Sequence, residues 1–460
     1  MKKKGILLLG SLSLMVVAMV FITVTLVSRA NVTPESSDAA TLKKKALSLS
    51  SISSKATTTL PLKYRFQKLE QDETTLVRSY ADDMNQNGYI VGLKDVVNGR
   101  VTIWDPKGNT TQITDPQFKD IVHTTKINNS NVIIGINIDI SIDKMTSFKY
   151  IPNKGYQELK GIPQEKTETI KQINSQYLKS LETRNPGSMN SNLSNEYNSY
   201  VNQFANDYTE AKDLNNDGDV VGTSNGRAML WINEKLNPID LSLILLKHYP
   251  NTTKGYAMVI SDRVNGEIQI LGAISDSSGD NAKDLLFILN YSVLTQKEVS
   301  FQLIENIANK INPRPWPTQI LNDRTIAMDN YFNDQYGFEK SDSYFISEKG
   351  DYKNYVDVTS FFQKANIEYF TVQHDSVNNN KIAVGGYLKV IRGDDYYFFI
   401  LDLNTGQIQL MENMIKEGQI IDYVPGTKFY PKFINDKGEI LVRYQNQELI
   451  SSLGWLIPVK

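Results

Sequence analysis

A short phrase of polar residues followed by apolar ones recurs seven times along the chain. In NQNGYIVG, which begins at Asn85, an Asn- and Gly-containing start precedes a run of mainly β-branched residues. Asn and Asp favour tight turns because they bond their own backbone, Gly adopts positive φ, and β-branched residues favour a pleated strand. The phrase therefore predicts a turn followed by a strand. Its copies begin at Asn85, Asn128, Asn215, Arg263, Asn322, Asn378 and Asn435.

A second phrase follows most of these hairpins. It is an aromatic or aliphatic run that enters a Gly, Asn or Lys turn and continues as another strand, with copies beginning at Val101, Phe148, Ala228, Leu285, Tyr344 and Tyr397. Each unit therefore contains about four short strands, the content of one propeller blade. The pattern predicts an all-β, seven-bladed β-propeller over residues 61–460, or one of six or eight blades if a weaker unit is miscounted. A strand at 62–68 is expected to complete the last blade beside the C-terminal GWLIPV segment, which closes the ring.

One interval between the repeats has double length. The turn positions Gly88, Asn131, Gly218, Gly266, Thr325, Lys381 and Gly438 are separated by 43, 87, 48, 59, 56 and 57 residues. The excess falls between Pro163 and Asp207, where apolar residues recur with a helical period, as at Ile170, Ile173 and Tyr177. We therefore expect an inserted helical hairpin at 163–207 and not a lost blade. Its apolar stripes favour packing against each other and the blade beneath, with a partner subunit or the membrane surface as the alternatives.

The hairpin phrase and the strand after it resemble the HAF family of bacterial extracellular repeats. The resemblance is best in NNDGDVVGTSNGRAMLWINEKLNPIDL from Asn215, and the closing GWLIPV is similar to that family's usual ending. It covers roughly residues 75 to 460, although the units at Asn322 and Asn435 carry Asp329 and Val442 where the phrase ends in Gly. The resemblance implies an exported all-β repeat protein and carries no catalytic residues.

The N-terminus predicts the compartment. Lys2, Lys3 and Lys4 precede an uncharged apolar run of 22 residues, Ile6 to Val27, which as a helix spans about 33 Å and is long enough to cross a bilayer. We expect residues 1–30 to be a signal anchor or signal peptide and residues 31–60 to be a flexible Ser- and Thr-rich linker. The repeats would then lie outside the cytoplasmic membrane, periplasmic or extracellular, held by the N-terminal helix. The alternative is secretion after cleavage near Ala30.

Charge and cysteine content exclude several functions. The net charge is −2, with no basic stretch beyond the first residues, which argues against nucleic acid as a partner. The absence of cysteine excludes disulfides, thiolate-ligated zinc and thiol catalysis.

Four local motifs match known chemistry incompletely. Residues 213–219 space oxygen side chains like a calcium loop, but Val221 and Ser224 stand where an acid is needed. Residues 222–226 fit a hydrolase nucleophile elbow around Ser224, yet a strand follows where a helix is required. His123, His248 and His374 lack the spacing of a shared metal site, and the tripeptide at 392–394 is expected to be a turn. The sequence therefore assigns no catalytic, cofactor-binding or metal-binding residue, and no cofactor.

Acidic residues recur in the loops that join the second and third strands, at Asp139, Asp143, Asp276, Asp280, Asp334, Asp342, Asp394 and Asp395. They predict either a rim that binds a cationic partner or solvated loops. The function expected overall is an exported, membrane-anchored module that binds a protein or glycan ligand, or serves as a scaffold, without catalysis. The alternative is a propeller hydrolase or lyase acting on envelope or extracellular glycans, which would require carboxylates that converge at the central channel.

Overall fold

The structure is a computed structural model. It describes residues 63–69, 79–94, 100–118, 121–139, 144–162, 208–233, 235, 238–250, 252–276, 283–304, 315–333, 339–346, 355–389, 396–446 and 451–459. The predicted N-terminal helix, the linker, the insertion at 163–207 and the tripeptide at 392–394 lie outside these ranges. Within the described ranges, no helix has both the length and the apolar character that crossing a membrane demands.

Seven antiparallel sheets follow one another along the chain, and the first strand of the chain, β1 (Tyr64–Lys68), belongs to the last of them. Blade 1 contains β2 (Tyr80–Met84), β3 (Ile90–Lys94), β4 (Arg100–Trp104) and β5 (Thr110–Gln112). Blade 2 contains β6 (Ile121–Ile127), β7 (Ile133–Asp139), β8 (Lys144–Ile151) and β9 (Gly155–Leu159). Blade 3 contains β10 (Thr209–Leu214), β11 (Val220–Ser224), β12 (Arg227–Trp231) and β13 (Ile239–Asp240). Blade 4 contains β14 (Thr252–Ile260), β15 (Glu267–Asp276), β16 (Lys283–Ser292) and β17 (Lys297–Leu303).

The remaining three blades repeat the same order. Blade 5 contains β18 (Pro315–Ile320), β19 (Ile326–Asn333), β20 (Glu339–Ile346) and β21 (Tyr355–Asp357). Blade 6 contains β22 (Thr371–Val377), β23 (Ile382–Leu388), β24 (Tyr396–Asp402) and β25 (Gln407–Leu410). Blade 7 contains β27 (Lys428–Ile434), β28 (Ile440–Gln445), β29 (Ser451–Pro458) and β1, with β26 (Ile420–Ile421) parallel to β1. Short helices α1 (Ser242–His248), α2 (Thr359–Lys364) and α3 (Met411–Lys416) come before blades 4, 6 and 7. The predicted seven-bladed, all-β propeller is confirmed.

The hydrophobic core is divided among the blade interfaces. Each of the seven clusters of buried apolar residues draws its members from two neighbouring blades, including one cluster shared by blades 7 and 1. The second strands pack on both faces, and β11 is buried along its whole length. The apolar phrases therefore hold neighbouring blades face to face.

The recurring hairpin joins the first and second strands of a blade and links it to the next blade. The Asn85 side-chain oxygen accepts the N–H groups of Asn87 and Tyr89 within the turn, while its amide donates to the carbonyl of Asn128 in blade 2 at 2.8 Å. The second residue of the hairpin, which follows Asn85 in blade 1, donates its backbone N–H to the matching side chain of the next blade. These donors are Gln86, Asn129, Asn216, Asn322, Asn379 and Asp436, and the link from Asp436 to Gln86 joins blade 7 to blade 1. We call this array the belt.

The hydrogen bonds of the belt show that the repeat in blade 5 begins one residue earlier than the sequence phrase indicates. Leu321, and not Asn322, closes that hairpin, since its backbone pairs with Thr325 and Arg324 as Asn85 pairs with Tyr89 and Gly88. Met328, and not Asp329, therefore occupies the position of the final Gly.

Every innermost strand carries a register shift at the same position, three residues before the hairpin. The shift is a β-bulge, in which two residues of one strand oppose a single residue of its neighbour. The bulged residues are Asp82, Thr125, Lys212, Met258, Thr318, Asp375 and Lys432. The bulges give all seven innermost strands one shape beside the central channel.

Candidate functional site: the channel face of the innermost strands

The innermost strands all run toward the belt, so they begin at the opposite end of the channel, which we call the far end. The loops between second and third strands also lie at the far end, because consecutive strands are antiparallel. The strands β9 and β10, which flank residues 163–207, end and begin there as well. Binding residues are concentrated on loops that a rigid scaffold positions, and ligand pockets are concave, so the far end of the channel is the candidate place for a site.

Seven side chains form a ring near the far end, which we call the channel ring. They are equivalent because each pairs across the sheet with the same position of the second strand, and each is partly or largely accessible. Tyr80 is the most exposed, at 49%. The members are Tyr80, His123, Glu210, Tyr256, Trp316, Gln373 and Tyr430. Four are aromatic, and the others offer an imidazole, a carboxylate and an amide.

Two polar members of the channel ring differ in their hydrogen bonds. Glu210 accepts hydrogen bonds from Tyr208 and Lys212. Burial lowers the pKa of His123, and its Nε2 atom is buried without a hydrogen-bond partner. The imidazole therefore favours its neutral form, and its unused nitrogen is shielded from the channel.

Between the channel ring and the belt, a line of charged residues, of which Asp83 is buried, crosses blades 1 to 3. Lys126 lies 3.8 Å from Asp83, and Asp83 and Asp213 accept backbone N–H groups of the next blade, from Ile127 and Ile260. Burial raises the pKa of Asp83 and raises that of Asp213 to about 6, whereas the nearby carboxylate of Asp83 raises the pKa of Lys126. These groups connect blades to one another.

A second charged cluster lies between blades 5 and 6. His374 Nδ1 is 2.8 Å from Asp329, and its Nε2 is 3.2 Å from the hydroxyl of Thr318. Burial alone would lower the pKa of His374, but Asp329 raises it above its ordinary value. The Thr318 hydroxyl donates to the carbonyl of Ala327, so its oxygen accepts from Nε2 of a protonated His374. The Nδ1 atom contacts Asp329 as an ion pair without making a hydrogen bond. The arrangement resembles a nucleophile–base–acid line but favours an ion pair.

Two bulge residues carry carboxyls whose pKa is shifted toward neutrality. Burial raises the pKa of Asp82 to about 7, although the hydroxyl of Thr124 donates to it. Burial also raises the pKa of Asp375 to about 7, against the opposing charges of Lys432 and His374. Both side chains remain partly accessible beside the channel. A carboxyl that titrates near neutral pH is suited to proton transfer.

The calcium-like stretch and the candidate nucleophile of the sequence both have structural roles in the fold. In the stretch 213–219, Asp217 accepts the N–H of Arg263 while the buried Asp219 binds the Arg263 guanidinium at 2.6 Å, so these carboxylates hold blade 4. The described residues contain no group of three or more His, Asp or Glu side chains arranged to hold a metal. Ser224 is buried at a two-residue turn between strands, where its hydroxyl oxygen accepts the N–H of Ile162.

The three histidines occupy separate places: His123 and His374 lie on innermost strands, whereas His248 contacts Glu298 at 2.5 Å and stacks on Phe301 at the outer edge of blade 4. Of the acidic residues expected in these loops, the half-buried Asp139 ends β7, Asp276 ends β15, and the half-buried Asp342 lies within β20 and not in a loop. Asp143, Asp280, Asp334, Asp394 and Asp395 lie outside the described residues. The acidic rim therefore stays a prediction. The channel ring was missed in the sequence, although its members are separated from the hairpin by a constant number of residues.

Comparison of the sequence with protein-family models and with curated proteins gave no match. Among solved structures, virginiamycin B lyase from Staphylococcus aureus is similar over 86% of this chain and 99% of its own, with a TM-score of 0.38 and 12% identity. Pyrococcus horikoshii acylaminoacyl peptidase is similar over 71% of this chain and 43% of its own, with a TM-score of 0.38 and 7% identity. This chain thus spans less than half of that peptidase. The polysaccharide lyase Uly1 is similar over 84% and 89%, with a TM-score of 0.35 and 8% identity.

These similarities concern the fold alone and carry no argument about activity. The class that the fold defines is the all-β, seven-bladed propeller.

Proposed function

We propose that the protein is an exported, envelope-anchored propeller that binds a glycan at the far end of its channel and does not cleave it. The observation that carries this proposal is the channel ring, in which four aromatic side chains and three polar ones occupy seven equivalent accessible positions. The apolar N-terminal run and the resemblance to the HAF repeats support the export of the chain.

A glycan fits the chemistry of the channel ring better than an apolar ligand does. Aromatic rings supply flat apolar surface that packs against the C–H faces of sugar rings, and Tyr and Trp add a polar edge. The carboxylate of Glu210 and the amide of Gln373 supply the few directional polar groups that orient a ligand in such a site.

Binding without catalysis agrees with how the charged groups are engaged. His374 is held as an ion pair, and the line from Asp83 to Asp213 connects blades. The second candidate function, a glycan hydrolase or lyase, is favoured by the pKa values near 7 of Asp82 and Asp375. The two functions differ in whether bound glycan is shortened.

The test uses the full chain, purified in a mild detergent, and a panel of soluble neutral and acidic polysaccharides. We expect retention of one or more of them in affinity electrophoresis, with at least about a tenfold loss of affinity on Trp316→Ala, the size typical of removing a central aromatic contact. Leu294→Ala, which truncates a side chain 78% exposed on the turn after β16, is the control and should bind like the wild type.

Prolonged incubation of the same polysaccharides should leave their chain lengths unchanged. Shortened products that disappear with Asp375→Asn would favour the enzyme instead. Failure of every polysaccharide to bind, or equal losses in both variants, would refute the proposed function.

A further inference from the structure

Arg443 lies near the channel and has no acidic partner among the described residues. Lys126, Lys212 and Arg263 contact Asp83, Glu210 and Asp219, and Lys432 faces Asp375. Among the described residues, Arg443 has only a ring contact with Tyr430 and an electrostatic interaction with Tyr80. Its Nε atom is buried without a hydrogen-bond partner. Leaving a buried donor without a partner costs folding free energy, so its presence calls for an explanation.

The ring of Tyr430 restrains the guanidinium of Arg443. Arg443 on β28 pairs across the sheet with Tyr430 on β27, and its guanidinium carbon lies 4.8 Å from the centre of the Tyr430 ring. Tyr430 is itself stacked near Tyr396, with ring centres 6.5 Å apart and planes inclined by 21°. Stacking on an aromatic face restrains the planar guanidinium while leaving its N–H edge available. A restrained donor loses little entropy when a ligand binds.

The site adjoins two members of the channel ring. Tyr430 is one, and the exposed Tyr80 of blade 1 is the other, with a pKa raised by burial and by Asp82 and lowered by Arg443. Arg443 therefore lies at the junction of blades 7 and 1, where a ligand on the channel ring is within reach.

Chemistry selects the ligand group. A guanidinium presents parallel N–H donors that match the two oxygens of a carboxylate, and this pairing is stronger than a bond to a neutral hydroxyl. A neutral sugar would leave the charge of Arg443 uncompensated, whereas an acidic sugar would supply the missing counter-ion.

We propose that Arg443, oriented by Tyr430 beside Tyr80, binds the carboxylate of an acidic sugar in the glycan. This inference rests on the proposed function and narrows its substrate class to glycans that contain uronic-acid-like units.

The test compares polygalacturonate with its fully methyl-esterified form, which has the same backbone without the charge. Wild-type full chain in detergent should bind polygalacturonate at least about tenfold more tightly, the range for one charge-assisted contact. Arg443→Gln should abolish this preference while the affinity for the ester stays within about twofold. Arg443→Lys, which keeps the charge but not the two-pronged geometry, should retain only part of the preference. Trp316→Ala should weaken both ligands equally.

Two further probes separate other sources of the charge. Dextran sulfate and poly-γ-glutamate should bind at least about tenfold more weakly than polygalacturonate, because one lacks carboxylates and the other lacks sugars. Equal binding of either polymer would overturn the inference.

The inference is also wrong if Arg443→Gln keeps the preference while its thermal unfolding matches that of the wild type. Binding of the ester alone would leave the proposed function standing and remove the role of Arg443. Binding of no glycan would refute both.

Discussion

Asp375 occupies the bulge of β22, where the surrounding protein shields its carboxyl from water. Burial raises its pKa to about 7, and Lys432 and His374 offset that effect only in part. The folded protein therefore holds this proton more tightly than the unfolded chain, whose Asp has a pKa of about 4. The favourable contribution is complete below pH 4 and is lost as the pH rises to about 7.

Asp375→Asn should remove the loss of stability that accompanies ionisation of this carboxyl, because Asn stays neutral. We expect the variant to be more stable than the wild type at pH 8, by roughly 1 to 3 kcal/mol, with little difference at pH 4, because one pKa unit is about 1.4 kcal/mol and partial exposure weakens the effect. Thermal unfolding followed by circular dichroism between pH 4 and pH 8 measures it.

Asp105→Asn is the control of opposite sign for this prediction. Hydrogen bonds from Asn109 lower the pKa of the exposed Asp105, so its substitution should give no gain at pH 8. The explanation would be contradicted if Asp375→Asn were less stable than the wild type at pH 8 and its stability depended on pH as that of the wild type does.

Single residues were predicted from the sequence only where their role is local. The turn role of Asn85 follows from its own side chain, which bonds N–H groups two and four residues ahead. Asp213 and Asp219 were candidates for a calcium loop because their donors, Ile260 and Arg263, are more than 40 residues away in the next blade. The solitary Arg443 was missed for the same reason, since only the fold shows which carboxylates are out of its reach.

At the level of the strand pair, the bulge explains the final glycine of the recurring phrase. A Cβ on Gly222 would lie 2.1 Å from the carbonyl oxygen of Glu210, and Gly92, Gly135, Gly272 and Gly385 meet the equivalent carbonyl at 1.9 to 2.1 Å. Blades 5 and 7 carry Met328 and Val442 at this position, and their cross-strand partners are Pro317 and Pro431. Glycine is therefore required where the innermost strand approaches closely.

Gly222→Ala should destabilise the propeller by about 2 to 4 kcal/mol, because the added methyl group forces backbone apart in a packed sheet. Urea unfolding measures the loss. Gly418→Ala is the matched control: Gly418 has φ +65 but nothing within 4 Å of an added Cβ, so backbone strain alone should cost about 1 kcal/mol. Equal losses of stability in the two variants would mean that the nearby carbonyl of Glu210 is not the reason for a glycine at position 222.

The strand content of each blade was predictable because turn chemistry and alternation are local signals. The bulges were not, because a bulge is a mismatch between two strands and neither strand alone records it. The one-residue shift of the repeat in blade 5 was also not predictable from the sequence, because it is visible only in contacts between blades. Asn322 matches the first residue of the phrase, but its backbone N–H donates to Asn379 as that of Gln86, the second hairpin residue of blade 1, donates to Asn129.

For the whole molecule, the ring is closed by both ends of the described chain. The strand β1 pairs antiparallel with β29 over five residues, from Tyr64 with Pro458 to Lys68 with Gly454. The belt also links blade 7 to blade 1, through the backbone N–H of Asp436 and the side chain of Gln86. The predicted closure beside GWLIPV is thus confirmed, and it was predictable because seven units leave the last blade one strand short.

Phe66 fixes this closure by packing edge-on against Phe429 and Tyr444, with ring centres 5.0 and 5.1 Å apart. Phe66→Ala should reduce the free energy of unfolding by about 3 to 5 kcal/mol, the usual cost of removing a buried Phe side chain. Because β1 is joined to blade 1 along the chain, we expect faster amide exchange in β1, β29 and β2 together, measured by hydrogen–deuterium exchange.

Phe301→Ala is the matched control, since Phe301 lies on β17, the fourth strand of blade 4, and stacks on Phe287 at 5.9 Å. Both ends of that blade continue along the chain, so exchange should rise only within blade 4 and where blade 3 packs against it. Faster exchange confined to β1 in Phe66→Ala would show that the belt alone keeps the ring closed. Equal acceleration in all seven blades would instead mean that the propeller opens as one unit, because its interfaces share a single closed circuit of contacts.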